Sequence, residues 1–282
     1  MDNDGRCPSM YQQGVILNIF VMIKQAVDVE LNIRVKDEAL IEEGLNYVIG
    51  GWDEVAVEAA LQIIESIGEG TITLVTIGPD QAADVLRRGL AMGADKAIHV
   101  LDDGFEGSDS FAYAKAFAKI MENQNYNIIL GGRQAQDTDA GLTMSMLAEF
   151  LDLPQITNLS KIVSVGKDKF TVHRRGDHGN EVIELSLPAV LTVNDSLFEP
   201  RLSSLRAMML AKKKPVETVN LKDIGVEPGM VGRQGSKTVV KRLLQPEVRK
   251  AGRLFEGKEE ETTRQALELL VNEDLGDGEL FS

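Results

Sequence analysis

The chain has 282 residues, enough for one large domain or two small ones, and 43% of them are hydrophobic, enough for a substantial core of Val, Ile, Leu, Ala and Met with few aromatics. Its formal net charge of −14 argues against a general binder of nucleic acid or anionic membrane, whose affinity rests on Lys and Arg neutralising phosphate, and suits a soluble cytoplasmic protein. The single cysteine, Cys7, excludes an internal disulfide, a zinc site built on cysteine and an iron–sulfur cluster, and His99, His173 and His178 lie in separate segments without metal-ligand spacing.

Residues 1–14 are polar and read as a disordered N-terminal extension. Residues 14–23 are apolar but do not read as a signal or a span. Lys24 ends the run well short of the ~20 residues a bilayer needs. The charges upstream are Asp2, Asp4 and Arg6 rather than a basic cluster, and no small-residue cleavage site follows. The run reads instead as a buried first strand, 15–23, with a small excursion near 32–35. Helix 53–66 follows, its apolar face supplied by Val55, Val57, Ala59, Ala60, Leu61, Ile63 and Ile64. Then come strand 71–77 ending at Gly78-Pro79, helix 80–92 ending at Gly93, strand 97–100, helix 108–121 with Ser108 or Asp109 as its cap, and strand 127–130. This alternation predicts a doubly wound parallel α/β sheet.

The polar stretch Gly131-Gly132-Arg133-Gln134-Ala135-Gln136-Asp137-Thr138-Asp139 lies between that last strand and a helix over 142–151. In open α/β sheets the carboxyl end of a strand is where ligands bind, and unpaired N–H groups at a helix start favour an anion such as phosphate. The other reading of the same residues is an ordinary strand-to-helix connection with Asp139 as the helix cap. After Pro154 the pattern changes to short strands, 159–165, 169–175, 182–187 and 189–193, which predict antiparallel pairing on an edge of the same sheet. Residues 15–214 form the predicted core. Residues 215–282 are basic, then polar and rich in glycine, and read as an extended C-terminal arm with a terminal helix over 262–272, whose acidic start favours its dipole.

No catalytic constellation is present: no Gly-x-Ser-x-Gly, no Walker A loop, no His-Glu-x-x-His and no Gly-x-Gly-x-x-Gly after the first strand. What the chain does carry is a set of segments in a fixed order. Val21-x-Ile23-Lys24-Gln25, Ile33-Arg34-Val35, Asp53-Glu54-Val55-Ala56-Val57-Glu58-Ala59-Ala60, Leu90-Ala91-Met92-Gly93-Ala94-Asp95-Lys96, Gly132-Arg133-Gln134-Ala135-x-Asp137-x-Asp139, Leu187-Pro188-Ala189-Val190-x-Thr192 and Glu199-Pro200-Arg201 followed by Ala211-Lys212-Lys213-Lys214 all occur. Together, over roughly residues 15 to 255, they resemble the electron transfer flavoprotein beta subunit family.

The resemblance implies an adenine-nucleotide-binding α/β core, a heterodimer with an alpha subunit that holds most of the redox FAD, and AMP or a second FAD in this chain. It implies electron transfer from a flavoprotein (acyl-CoA) dehydrogenase to a quinone reductase or similar acceptor, by an electron carrier rather than an enzyme in its own right. The residues that match the family's nucleotide loops are Met22, Gly50, Gly51, Trp52, Asp53, Ile77, Gly132, Arg133, Gln134, Ala135, Asp137 and Thr143. In this reading backbone N–H groups and the Thr143 hydroxyl hold phosphate, backbone near Met22 and Ile77 reads adenine, and Asp137 and Asp139 fix the loop. The chain departs from the family where Gly50-Gly51-Trp52 replaces Asn-Pro and where Leu142 and Met144 flank Thr143 in place of Gln and Gly. Leu202-Ser203-Ser204-Leu205-Arg206 matches the family's recognition loop, with Leu205 as the anchor for a partner dehydrogenase. A bifurcating relative, oxidising NADH with a second FAD, and a stand-alone nucleotide sensor of the universal-stress type are the alternatives.

Overall fold

The computed structural model describes residues 16–30, 33–166, 169–246 and 252–272; the N-terminal extension expected over 1–14 lies outside them. The chain divides into two compact units, Met1–Leu243 and Leu244–Ser282.

The first unit begins with β1 (Leu17–Met22), β2 (Gln25–Val27), β3 (Val35–Lys36), β4 (Ala39–Leu40) and β5 (Tyr47–Ile49). It continues through α1 (Gly51–Ile67), β6 (Gly70–Ile77), α2 (Ala83–Met92), β7 (Lys96–Val100), α3 (Ser110–Met121), β8 (Ile128–Gly132) and α4 (Thr143–Phe150). Next come β9 (Gln155–Val165), β10 (Lys169–Gly176), β11 (Gly179–Ser186), β12 (Ala189–Val193), α5 (Leu205–Ala211), β13 (Val216–Val219) and α6 (Gly232–Gly235). One nine-stranded sheet runs in the order β11-β10-β9-β12-β8-β1-β6-β7-β13. It is parallel from β9 to β13, and β10 and β11 add an antiparallel edge. This is the doubly wound α/β fold expected, with the antiparallel strands at an edge. Among the described residues no helix is long and apolar enough to cross a membrane.

The two-residue period of the strands explains how both faces are covered. Leu17, Ile19 and Val21 of β1 pack into one core cluster with the apolar faces of α1 and α2, and Phe20 and Met22 into another with α3 and α4. Two sequence expectations need correction. Strand 189–193 is not part of the antiparallel edge: β12 is fully buried and parallel, between β8 and β9. Its Ala-Val-Leu-Thr-Val composition is that of a strand covered on both faces. The sequence reading also starts an arm at residue 215. In the structure β13 pairs in parallel with β7, and Leu221, Val226 and Val231 are buried in the α3–α4 cluster. Burial of these apolar side chains keeps the segment with the core.

The second unit carries α7 (Glu259–Asn272), with Glu259, Glu260 and Glu261 in its first turn, where negative charge complements the helix dipole.

Candidate functional site

Chain order reverses at β1. From it the chain steps out through β6 to β7 on one side, then returns to β8 on the other. The crevice at the carboxyl ends of β1 and β8 is therefore the topological switch point, the usual ligand position in an open α/β sheet. A cavity of about 500 Å³ opens there, within the range of small-molecule sites. Met22, Asp53, Ile77, Gly132, Arg133, Gln134, Ala135 and Thr143 all reach its wall. Gly50, Gly51, Trp52 and Asp137 belong to the layer behind it. The Gly51 amide donates to Gln136 Oε1 at 3.3 Å, Arg133 lies over the Trp52 ring at 5.6 Å, and Asp137 pairs with Lys24 Nζ at 2.7 Å. Gln136 also donates to the Val27 carbonyl at 3.0 Å, so it ties the loop to both β2 and α1.

Asp53 holds this corner together. Its Oδ2 accepts from the Lys24 amide at 2.8 Å and its Oδ1 from the Gly132 amide at 3.1 Å. One carboxyl at the start of α1 thus clips the ends of β1 and β8 side by side. The Gly132 N–H, which the sequence reading offers to a phosphate, is already engaged here. Gly132 itself has no room for a side chain: a Cβ would stand 2.5 Å from Asp53 Oδ1 and 2.7 Å from Trp52 Cβ.

Burial pushes the Asp53 carboxyl up to about 7, against the hydrogen bonds from Lys24 and Gly132 and the Lys24 charge. The folded value lies above the ordinary 3.8. Between the two the folded chain keeps a proton that the unfolded chain has released. The stability Asp53 contributes is full below the ordinary value and is lost as pH rises through the folded one. Urea midpoints of wild type and Asp53→Asn, taken from acid to neutral pH, should show the wild-type advantage shrinking over this window. A difference that does not change with pH would show that Asp53 titrates like an exposed carboxylate.

The first turn of α4 supplies donors. Its first intrahelical bond runs from Met146 N to the Leu142 carbonyl at 3.0 Å. The amides of Thr143, Met144 and Ser145 therefore lack an acceptor within the helix. Among the described residues no side chain caps this end, and the cap position is Leu142. Asp139 is thus not the cap. Ala140, Gly141 and Leu142 intervene, Asp139 has φ of 54°, and it accepts from Gln134 Nε2. Met144 is buried over Gly131, where a Cβ would meet its sulfur at 2.8 Å, and Leu142 is half exposed.

The cavity is also lined by residues that the sequence reading did not assign to it. Tyr113 and Phe117 lie one helical turn apart on α3 and, with Met22 and Ile77 of the same hydrophobic cluster, give the cavity apolar lining. Burial and the Asp137 charge raise the Tyr113 hydroxyl above its usual range. Of the two caps proposed for this helix the structure uses Asp109, whose Oδ1 accepts from Phe111 and Ala112 amides at 3.1 and 3.0 Å. Its Oδ2 accepts from the Lys237 and Thr238 amides and from Thr238 Oγ1, at 2.7, 2.7 and 2.8 Å. These bonds hold its pKa down to about 2 against the opposing effect of burial. They bring Arg233, Thr238, Val239 and Val240 to the cavity. The Asp109 cap is readable from sequence; a contact with residues more than a hundred positions away is not. Apolar lining for a ring and an uncapped helix start for an anion make a donor set that fits an adenine nucleotide.

Leu205 is elsewhere. It opens α5, capped by Ser204 Oγ accepting from the Ala207 amide at 3.2 Å. It is 81% exposed beside Leu202 at 97%, which removes core packing as its role. The loop before it is anchored by Arg201 on Glu58 and Glu65 of α1.

A doubly wound α/β protein with a ligand-sized cavity at its switch point, and with an uncapped helix start on the wall of that cavity, is a nucleotide-binding type of scaffold. Sequence comparison gives the particular family. The electron transfer flavoprotein domain matches residues 38–224. The chain is 38% identical over 256 residues to electron transfer flavoprotein subunit beta of Thermoanaerobacterium thermosaccharolyticum, covering 90% of this chain and 98% of that one. It is 34% identical over 258 residues to the subunit of the same name in Bacillus subtilis strain 168, covering 91% and 98%. For Mycobacterium tuberculosis strain H37Rv the figures are 39% over 230 residues, covering 79% and 86%. The chain belongs to the electron transfer flavoprotein beta subunit family.

Proposed function

We propose that this chain is the beta subunit of a heterodimer, that its cavity holds AMP, and that the alpha subunit holds most of the redox FAD. The pair takes electrons from a flavoprotein dehydrogenase of the acyl-CoA type and passes them to a quinone-directed acceptor. The observation that carries the AMP assignment is the uncapped start of α4, whose Thr143 and Met144, with amides free of intrahelical acceptors, line the switch-point cavity. FAD, when bound in the heterodimer, supplies the redox chemistry. This chain binds, orients and docks.

The heterodimer, co-purified and denatured, should release one FAD and one AMP per pair on chromatography. Two FAD would replace this reading with the bifurcating one, and FAD alone would remove the nucleotide from this cavity. Thr143→Ala should lower AMP affinity by about 1.5–3 kcal/mol if its hydroxyl meets a charged phosphate, which equilibrium dialysis would read directly. Unchanged affinity would place the phosphate elsewhere.

Docking is assigned to Leu205. An exposed side chain that anchors in a partner pocket can be worth more than about 1 kcal/mol there, whereas truncating an exposed residue changes stability by only about 0.5 kcal/mol. Leu205→Ala should therefore slow reduction by the dehydrogenase and leave melting temperature, flavin content and assembly as they are. A lower melting temperature with normal transfer would return Leu205 to a purely structural role.

A further inference from the structure

We propose that Arg233 is a phosphoryl-binding residue of the cavity, so that the segment 231–240 after β13 forms one wall of the nucleotide site. The inference rests on the nucleotide reading above and adds a residue to it.

Charge accounting around the cavity singles Arg233 out. Lys24 is paired with Asp137. Arg133 lies over Trp52 and donates from Nε to Gln134 Oε1 at 3.1 Å. Arg233 lines the cavity and has no ion pair or hydrogen bond among the described residues. The acids of the wall are already engaged: Asp53 by two backbone amides, Asp109 by four backbone amides and the Thr238 hydroxyl. In a chain of net charge −14, an uncommitted guanidinium at a cavity mouth favours an anion there.

The position of Arg233 is built rather than incidental. The Gly232 amide donates to Ser108 Oγ at 2.8 Å, and its φ of +64° puts it in the left-handed region that favours glycine. Ser236 Oγ accepts from the Asp109 amide at 2.9 Å. The Arg233 stem lies against Gly107 so closely that a Cβ there would stand 2.5 Å from Arg233 Cγ. Both ends of the turn are thus pinned to the start of α3, and Arg233 projects from between the pins. The ligand class follows from the group. A guanidinium presents a planar fork of donors that matches phosphate oxygens. The α4 turn needs such help, since Leu142 and Met144 on either side of Thr143 bring no hydrogen-bonding side chain.

The test compares AMP with adenosine, which differ only in the phosphoryl group, on the nucleotide-stripped heterodimer. Equilibrium dialysis would be run on wild type, Arg233→Gln, Arg233→Lys and Thr143→Ala, with melting temperature of each as the folding check. Arg233→Gln should weaken AMP by about tenfold or more and change adenosine by less than about twofold. Arg233→Lys, which keeps the charge but loses the fork, should fall between. If AMP binding is lost in Thr143→Ala and kept in Arg233→Gln, the nucleotide site stands and the Arg233 assignment is overturned. Equal loss of AMP and adenosine in Arg233→Gln would also overturn it, leaving Arg233 as a support for the wall. A wild-type heterodimer that binds neither compound would overturn the nucleotide reading itself.

Discussion

Gly132→Val should leave little folded protein, and Gly132→Ala should already cost about 1–3 kcal/mol as an overpacked site. Gly132 ends β8 in the middle of the sheet, directly under the first turn of α1. The atoms a Cβ would meet are Asp53 Oδ1 at 2.5 Å, Trp52 Cβ at 2.7 Å and the Trp52 carbonyl carbon at 3.0 Å. The last two move only with the α1 backbone. Relief requires the helix to lift from the sheet, which breaks the Asp53 clip to Lys24 and Gly132 and exposes a face that includes Val55, Ala56, Val57 and Ala59. Valine adds two methyl groups to the same collision, so its cost should exceed that of alanine. Gly51→Ala is the matched control. Its Cβ would meet nothing within 4 Å, and removing glycine from a helix start costs nothing sterically while reducing the entropy of the unfolded chain. Urea denaturation should show a collapsed midpoint for Gly132→Val, a lowered one for Gly132→Ala and an unchanged or raised one for Gly51→Ala. A Gly132→Ala midpoint equal to wild type would contradict the close approach of α1 to β8.

The same corner shows what was legible in the sequence and what was not. The order of β1, β6, β7 and β8 and of the helices between them could be read because local periodicity and glycine stops act within a few residues, whereas the short pairs β2–β5 and β3–β4 appeared only as an excursion. Helix α2 ends at Gly93 and α3 is capped by Asp109, as short-range chemistry dictates. The position of the cavity could be read too, because a polar loop between a buried strand and a helix start is a local pattern. The inward turn of Asp53 could not. Beside Gly50, Gly51 and Trp52 an aspartate looks like a loop residue, and only the pairing of β1 with β8 reveals two amides waiting for it. The place of β12 depends on sheet order, which its five residues do not encode. Strand β13 has the pattern Val-Glu-Thr-Val, too short and too charged to separate from a basic tail. The contact of Asp109 with Lys237 and Thr238 has a sequence separation of about 128 to 129 residues, far outside any local signal.

Arg201→Ala should cost about 1–3 kcal/mol, less than removing one partner of a fully buried ion pair, because the Arg201 guanidinium is one third exposed while the Glu58 carboxylate it leaves behind is buried. Glu58 lies on α1 and is only 2% exposed. It accepts from Arg201 Nε and Nη2, each at 2.8 Å, from the Arg201 amide at 3.2 Å, and from Gln62 Nε2 at 2.7 Å. Burial alone would raise its pKa; the Arg201 and Gln62 bonds outweigh burial and hold it below the usual range. Its contribution to stability is therefore present above the ordinary carboxylate pKa and is lost as pH falls through the lowered folded value. Without Arg201 the carboxylate must take up a proton or drag α1 open to water. The variant should therefore lose less stability at acid pH than at neutral pH. Glu58→Gln combined with Arg201→Ala should recover part of the loss, because no buried charge remains. A cost near the ~0–1 kcal/mol of an exposed pair would show that water already solvates Glu58. Under the docking role proposed for Leu205, the effect should also reach that residue. Arg201 stands four residues before Leu205 and fastens that loop to Glu58 and, at 2.6 Å, to Glu65. α1 thus carries the clip of the switch-point cavity at its first turn and the anchor of the loop before Leu205 further along. If a dehydrogenase docks on Leu205 as proposed, releasing that anchor should slow its reduction of the heterodimer even with Leu205 intact, while Arg201→Lys, which keeps one charged contact, should restore part of both stability and rate.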